Sequence, residues 1–244
     1  RVIVFGASGF LGSHVADALS SAGYQVRLFD RSASPHLKPD QEMIIGDIMN
    51  LDQVIEAARD CSVVYNFAAI ADIDEAHNKP IPTVTINVLG NMHVLEAARI
   101  AGARRFVFAS SVYVYSESGS FYRASKQAAE RFTETYHERY GLDYNILRYG
   151  SLYGRRADKR NGIYRMLLEA VKNHSITYKG SGEAMREYIH VEDAARMSVQ
   201  VLAPEFANRH LILTGQEKMR IKDVMTMISE ILPWSVELHF DEAN

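Results

Sequence analysis

Tyr122 and Lys126 stand four residues apart in Tyr122-Arg123-Ala124-Ser125-Lys126, and an apolar run eleven residues before the tyrosine ends in Ser110-Ser111. On a helix, residues four apart share a face, so the ammonium would stay near the phenol oxygen. A neighbouring cation favours phenolate and is expected to pull the tyrosine pKa down toward working pH, which suits a general base at a hydroxyl-bearing carbon. A serine hydroxyl at the strand end would hold the same substrate oxygen. Taken alone, the Tyr/Lys spacing also fits an ordinary amphipathic surface helix.

A second group, Gly6-Ala7-Ser8-Gly9-Phe10-Leu11-Gly12, follows an apolar strand directly and opens a helix. Such a turn lets backbone approach a pyrophosphate, the helix N-terminus offers free N–H groups and partial positive charge, and the last glycine allows close packing. Asp30 ends the next strand, 18 residues after Gly12, where a carboxylate accepts hydrogen bonds from adenosine ribose hydroxyls. That favours NAD over NADP, although Arg31 beside it could offer a 2′-phosphate a cation. Asp47, in Gly46-Asp47-Ile48, could reach the adenine amino group or be a plain turn aspartate.

These groups need a scaffold that brings strand ends together. β-rich apolar runs at Val2–Phe5, Gln25–Asp30, Glu42–Ile45, Ser62–Asn66, Arg104–Ala109 and Tyr144–Arg148 alternate with helical periods over Leu11–Ala22, Leu51–Arg59, Pro82–Ala101 and Tyr122–Tyr140. This pattern predicts an α/β fold with a six-stranded, Rossmann-type doubly wound parallel sheet over residues 1–150. Beyond it, residues 151–244 read as a smaller substrate-binding lobe with helices near Ile163–Asn173, Val191–Leu202 and Ile221–Leu232. Because the chain opens on Arg1 and enters a strand at once, a few native residues are expected to precede it, and the C-terminus reads as open to clipping too.

The 244 residues, 47% hydrophobic and 23% charged, suit a globular domain with a sizeable core. A net charge of −3 gives no broad reason to expect nucleic acid. No apolar run is long enough to span a bilayer, so no membrane partner and a cytoplasmic location are expected. Cys61 is the single cysteine and reads as a core residue. The histidines, including His77, His93, His174 and His239, show no paired metal spacing, and no metal site is expected.

With those motifs the chain resembles the extended short-chain dehydrogenase/reductase family, in its NAD-dependent epimerase/dehydratase branch acting on nucleotide sugars. Further points of likeness are Asn66-Phe67-Ala68-Ala69, Asn87-Val88-Leu89-Gly90-Asn91, Val114-Tyr115, Leu147-Arg148-Tyr149 and Arg186-Glu187-Tyr188-Ile189-His190-Val191-Glu192-Asp193. The resemblance implies that Ser111 is the catalytic hydroxyl, Tyr122 the base, and Lys126 its partner and a ligand of the nicotinamide ribose. It assigns cofactor contacts to Gly6, Ser8, Gly9, Phe10, Leu11, Gly12, Asp30, Arg31, Asp47, Ile48, Phe67, Ala68, Ala69, Asn87, Tyr122, Lys126 and Tyr149. Substrate contacts fall to Ser111, Ser151 and Arg186, the last gripping a diphosphate. A homodimer through the helices over Pro82–Ala101 and Tyr122–Tyr140 is also implied.

Relatives that dehydrate carry an Asp-Glu pair after the active hydroxyl residue, and decarboxylases usually a glutamate, whereas Val112-Tyr113 stands here. The resemblance then implies an NAD-dependent UDP-sugar 4-epimerase working through a transient keto-sugar. Departures are Ser116 after Val114-Tyr115, a short stretch from Ser116 to Phe121, and Gly150-Ser151 where many epimerases have Phe-Asn. A sugar-nucleotide reductase, dehydrogenase or dehydratase of the same fold, and a non-catalytic dinucleotide sensor, stay open as alternatives.

Overall fold

The computed structural model describes residues 1–241. In chain order the elements begin with β1 Val2–Phe5, α1 Phe10–Ser21, β2 Val26–Asp30, β3 Gln41–Ile45, α2 Leu51–Ala58 and β4 Val63–Asn66. Next come α3 Ile73–Asn78, α4 Pro80–Val84, α5 Asn91–Ile100, β5 Arg105–Ser111, α6 Ser120–Tyr140 and β6 Tyr144–Tyr149. The chain continues with β7 Ser151–Tyr153, α7 Gly162–Asn173, β8 Ser175–Lys179, β9 Met185–His190 and α8 Val191–Gln200. It closes with β10 Arg209–Leu213, β11 Lys218–Arg220, α9 Ile221–Ile231 and β12 Glu237–Asp241.

The elements form two compact units. One holds Arg1–Tyr149 together with Glu192–Leu213, the other Gly150–Val191 together with the segment from Thr214 on. A single division near residue 150 therefore does not describe the chain. The segment that returns carries β10, whose backbone groups pair along β6 from Arg209↔Asn145 to Leu213↔Tyr149. The sheet of the first unit thus has seven strands rather than the six expected, in the order β10-β6-β5-β4-β1-β2-β3. Every pairing in it is parallel. β10 was invisible as a buried run because it is an edge strand: Arg209 is exposed and Ile212 is 52% exposed.

Strand side chains alternate between the two faces. Ile3, Phe5, Val64, Phe106, Phe108 and Ile146 pack on one face against Val54 and Ala57 of α2, Val94, Leu95 and Ala98 of α5, and Ala129 of α6. Small alanines on these helices let their backbones come close to the sheet. On the other face the fully buried Tyr65 donates its hydroxyl to the carbonyl of Ser198 in α8, at 2.7 Å.

The helix expected over Pro82–Ala101 is interrupted. Pro80 opens α4, and a π-helical turn over Thr85–Gly90 separates it from α5. A π turn admits an extra residue into the ladder and is often found beside a functional site. Here it contains Asn87, which is 2% exposed.

The second unit is built from a three-stranded sheet, β11-β9-β7, and a parallel pair, β12-β8. Ala170 of α7 and Ile221, Val224, Met225 and Ile228 of α9 bury themselves with Ile176 of β8.

Candidate active site

In the first unit, β1 lies between β2 and β4, and the chain leaves it in opposite directions along the sheet. Ligands of such sheets bind beyond the carboxyl ends of the strands at this reversal. Gly6 sits there with φ at 78°, and a Cβ on it would lie 2.5 Å from the backbone nitrogen of Ala68. A Cβ on Gly12 would lie 2.2 Å from the Gly6 carbonyl oxygen. Both positions exclude any side chain, so the turn is pressed against the β4 loop and the first turn of α1. Gly9 caps α1 without a side-chain hydrogen bond, and no acidic residue occupies the first turn, where the partly buried Phe10 and Leu11 stand. The free amides and positive end of this helix therefore face no carboxylate of their own, which fits a pyrophosphate.

Asp30 fastens that turn to the end of β2. Its Oδ2 accepts from the Ser8 backbone N–H at 3.0 Å and its Oδ1 from that of Arg31 at 2.7 Å, while Ser8 Oγ donates to the Ser32 carbonyl at 2.7 Å. Each carboxylate oxygen keeps a lone pair for a ribose hydroxyl. Arg31 is exposed. Asp47 is exposed too, and its Oδ1 accepts from the Met49 N–H at 2.9 Å, the geometry of a turn aspartate. The Ile48 side chain is 6% exposed and lies in the core, and a Cβ on Gly90 would come within 3.3 Å of it.

The loop after β4 carries the partly buried Phe67, Ala68 and Ala69. Phe67 stacks on Tyr65 with ring centres 6.0 Å apart. Asn66 Oδ1 accepts from the Ala68 N–H at 3.1 Å, and its amide donates to Asn91 Oδ1 at 2.8 Å. Asn87 braces the loop after β4 against α6. Its Oδ1 accepts from the Ile70 N–H at 2.7 Å, and its Nδ2 donates to the Ile70 carbonyl and to Ser125 Oγ, both at 3.0 Å. Tyr149 is likewise turned inward, 4% exposed, with its hydroxyl 2.6 Å from Ser198 Oγ. Its expected cofactor contact is thus not offered by the hydroxyl.

The two serines that end β5 have different partners. Ser110 Oγ donates to Glu130 at 2.5 Å, whereas Ser111 shares a hydrogen bond with the Tyr122 hydroxyl and accepts from the Tyr113 N–H at 3.2 Å. Tyr122, Lys126 and Glu130, at successive turns of α6, are 8%, 4% and 5% exposed. Lys126 Nζ donates to the Ala109 carbonyl at 2.7 Å, 4.9 Å from the centre of the Phe108 ring and 5.8 Å from that of Tyr122.

The tyrosine pKa moves opposite to the expectation from spacing. Burial pushes Tyr122 up to about 12, against the lowering effect of the Ser111 hydrogen bond. Burial also brings Lys126 down to about 8, with the Glu130 carboxylate acting in the opposite direction. Helical spacing reveals a shared face but not how dry that face is. In this state Tyr122 is a phenol, able to donate a proton to a substrate oxygen.

The two other expected substrate contacts lie in the second unit. Ser151 faces Tyr188 across the β7–β9 pairing. Arg186 is partly buried on β9 and donates to the Met185 carbonyl at 2.9 Å. Among the described residues no cluster of three or more His, Cys, Asp or Glu side chains could hold a metal, and no helix is long and apolar enough to cross a membrane.

Sequence reading missed Ser125, Glu130 and Arg148 as parts of the site. Ser125 Oγ donates to the Tyr122 carbonyl at 2.8 Å and receives Asn87. Glu130 lies four residues past Lys126, the spacing that had singled out Lys126 itself, so the same helical period carried the signal.

The sequence pattern described as the NAD dependent epimerase/dehydratase family matches residues 2–212. A Methanocaldococcus jannaschii protein provisionally assigned as a UDP-glucose 4-epimerase is 31% identical, over 82% of this chain and 73% of its own length. The Thermotoga maritima UDP-glucose 4-epimerase solved with UDP-glucose superposes with a TM-score of 0.93 at 22% identity, covering 100% of this chain and 86% of that one. The Bacillus cereus UDP-glucuronic acid 4-epimerase, solved with UDP-glucuronic acid and NAD, gives 0.91 at 25% identity over 99% and 86%.

Proposed function

The chain belongs to the NAD dependent epimerase/dehydratase family, and on that premise we propose that it is an NAD-dependent UDP-sugar 4-epimerase working through a transient keto-sugar. The observation that carries this reading is the hydrogen bond between Ser111 and Tyr122, with Lys126 one turn on, at the carboxyl edge of the sheet that bears the glycine turn. The relatives support the substrate class, since those named above act on UDP-glucose or UDP-glucuronic acid.

When bound, NAD supplies a hydride acceptor that can return the hydride, so no cofactor is consumed. The amides of the Gly6–Gly12 turn would hold its pyrophosphate and Asp30 its adenosine ribose, with Lys126 toward the nicotinamide ribose. Tyr122, a phenol in the cofactor-free protein, would act as base only as phenolate, the form that the positive charges of Lys126 and of bound NAD favour. The phenolate takes the proton of the sugar hydroxyl as the carbonyl forms, and the resulting phenol gives it back when the carbonyl is reduced. Ser111 holds the same oxygen in both directions. Lys126 donates to the main chain and keeps a positive charge beside the phenol ring, favouring phenolate at the moment it forms. Burial of all three side chains keeps water from the keto-sugar. Val112 and Tyr113 place no carboxylate after Ser111 to assist elimination.

We also infer a homodimer formed through α4, α5 and α6. Ile81, Val84, Leu89 and Ile100 are 74%, 48%, 48% and 49% exposed, and Phe121, Phe132 and Tyr140 of α6 are exposed as well. Apolar side chains at this density on neighbouring helices support a covered face.

The test is incubation of the protein and NAD with UDP-glucose, UDP-glucuronic acid and UDP-N-acetylglucosamine, with stereochemistry followed by NMR and cofactor reduction by absorbance. Interconversion of C4 epimers without accumulating NADH, lost in Tyr122→Phe, is the expected result. Stoichiometric NADH would instead identify a dehydrogenase, and cofactor binding with no turnover a sensor.

A further inference from the structure

The first unit contains a buried polar cluster that the chemistry above leaves unused. The Glu130 carboxylate takes Ser110 Oγ at 2.5 Å, Arg148 Nε at 3.0 Å and Arg148 Nη2 at 2.6 Å. Both members of this ion pair are shielded, with side chains 14% and 6% exposed for Arg148 and Glu130. Arg148 also donates to the hydroxyl of Tyr115, and its guanidinium lies 4.8 Å from the centre of that ring. Its Nη2 meets His210 Nδ1 at 2.8 Å, and His210 Nε2 meets Glu134 at 2.8 Å. Since guanidinium can only donate, Nδ1 accepts, and the imidazole proton sits on Nε2 toward Glu134.

The cluster touches the reactive groups at three points. Ser110 is the chain neighbour of Ser111 at the end of β5, so fixing one side chain fixes the strand that aims the other. Tyr115 ends the 3₁₀ turn Val112–Tyr115 that leaves Ser111, and it is 61% exposed, with Arg148 anchoring its hydroxyl. Glu130 lies one helical turn from Lys126 on the same buried face of α6.

We propose that Glu130 is the positioning residue of this site: with Arg148 it sets the end of β5 that carries Ser111 and the turn anchored at Tyr115, and it serves as the countercharge of Lys126. The groups facing Glu130 are Ser110 of β5, Arg148 of β6 and His210 of β10, whose other ring nitrogen meets Glu134 of α6. Those facing Lys126 are Tyr122 on its own helix and the Phe108 ring and Ala109 carbonyl of β5, with the Glu130 carboxylate acting on its charge from one turn away. Removing the Glu130 charge would let burial act on Lys126 unopposed. The inference rests on the reading of Ser111, Tyr122 and Lys126 as the reacting set.

The experiment compares Glu130→Gln, Glu130→Asp and the pair Glu130→Met with Arg148→Met, which removes both buried charges and so avoids leaving an unpaired arginine. For each, kcat and KM for UDP-sugar epimerisation are measured with bound NAD, and the Lys126 ammonium is titrated by NMR in the cofactor-free protein, assigned with Lys126→Arg. Glu130→Gln should lower kcat by about ten- to a hundredfold with KM changed less than about threefold, and should move the Lys126 midpoint down. Glu130→Asp should restore the midpoint and part of kcat. If Glu130→Gln does not fold, the Met pair is read the same way. A folded variant with wild-type kcat and an unmoved Lys126 midpoint overturns the proposal. Tyr122→Phe separates the two readings: activity surviving there overturns the reacting set, whereas its loss beside an unaffected Glu130→Gln overturns only the part given to Glu130.

Discussion

Ser110 and Ser111 are adjacent in the chain and meet different residues of α6: one hydroxyl donates to the buried Glu130 carboxylate at 2.5 Å, the other meets the Tyr122 phenol. Their substitutions should therefore separate. Ser111→Ala is expected to cut kcat by about a hundredfold and, since its hydroxyl caps the Tyr113 N–H, to cost about 0.5–2 kcal/mol of stability. Ser110→Ala removes a donor from a buried carboxylate and should cost about 1–3 kcal/mol of stability, with the smaller loss of kcat. Denaturant unfolding and steady-state kinetics on both variants decide this, and equal effects on kcat would refute the assignment.

Lys126 and Tyr122 make opposite contributions to the pH dependence of stability in the cofactor-free protein. Folding lowers the Lys126 pKa from 10.5 to about 8, so the cost of burying its charge is fully present below pH 8 and is relieved as pH rises toward 10.5. Folding raises Tyr122 from 10.0 to about 12, so its contribution is present below pH 10 and is lost as pH climbs through 12. Lys126→Met should accordingly stabilise the protein at neutral pH by about 1–3 kcal/mol, the hydrogen bond to Ala109 being part of what it gives up. The gain should shrink toward pH 10 while activity is lost. Thermal melts across pH test the sign, and a Met variant less stable at neutral pH would contradict it.

Gly12→Ala places a methyl group 2.2 Å from the Gly6 carbonyl, and neither backbone can yield without opening the turn. We expect about 1–3 kcal/mol of destabilisation and loss of NAD binding by calorimetry. Gly23→Ala is the control, since nothing lies within 4 Å of its Cβ; its φ of 85° alone would cost stability, and NAD affinity should hold.

Asp30→Ala removes the carboxylate that takes the Ser8 and Arg31 amides. NAD should bind at least about tenfold more weakly, because both the turn and a ribose contact are lost. NADP should lose less, its 2′-phosphate no longer facing a carboxylate beside Arg31. The measured ratio of the two dissociation constants should fall; a ratio unchanged from the parent would remove Asp30 from the selection of cofactor.

For the proposed dimer, Ile81→Glu and Leu89→Glu each set a charge on an exposed apolar helix face without touching the core. Sedimentation should show a dimer for the parent chain and a shift toward monomer for the pair of substitutions. A parent chain that sediments as a monomer at micromolar concentration would dispose of this interface.

Much of this was legible in the residues. The glycine turn, the Tyr122/Lys126 spacing and the strand-final serines are local patterns, and local patterns survive in a single sequence. The seventh strand was not, since Arg209–Leu213 is short, half exposed, and recognisable only by its partner β6. Nor was the π turn at Asn87, where tertiary bonds to Ile70 and Ser125 outweigh the helical repeat. The tyrosine pKa went the other way because desolvation is a property of the packed interior, whereas spacing speaks only of neighbours. Tyr149 and Ile48 were assigned to the ligand through the resemblance alone; the burial of both side chains is a property of the packed interior that no single sequence shows.

The return of residues 192–213 to the first unit bears on how the protein is made. A ribosome releasing the chain from its N-terminus would expose β6 as an open edge until some sixty more residues had emerged, the count from Tyr149 to Arg209. Until α8 arrives, the hydroxyls of Tyr65 and Tyr149, both of which end on Ser198, have no partner there. The nucleotide-binding half therefore cannot be cut out as residues 1–149. It would be better obtained by joining Tyr149 to Glu192 through a short linker, which keeps the late strand and the serine that two buried tyrosines require.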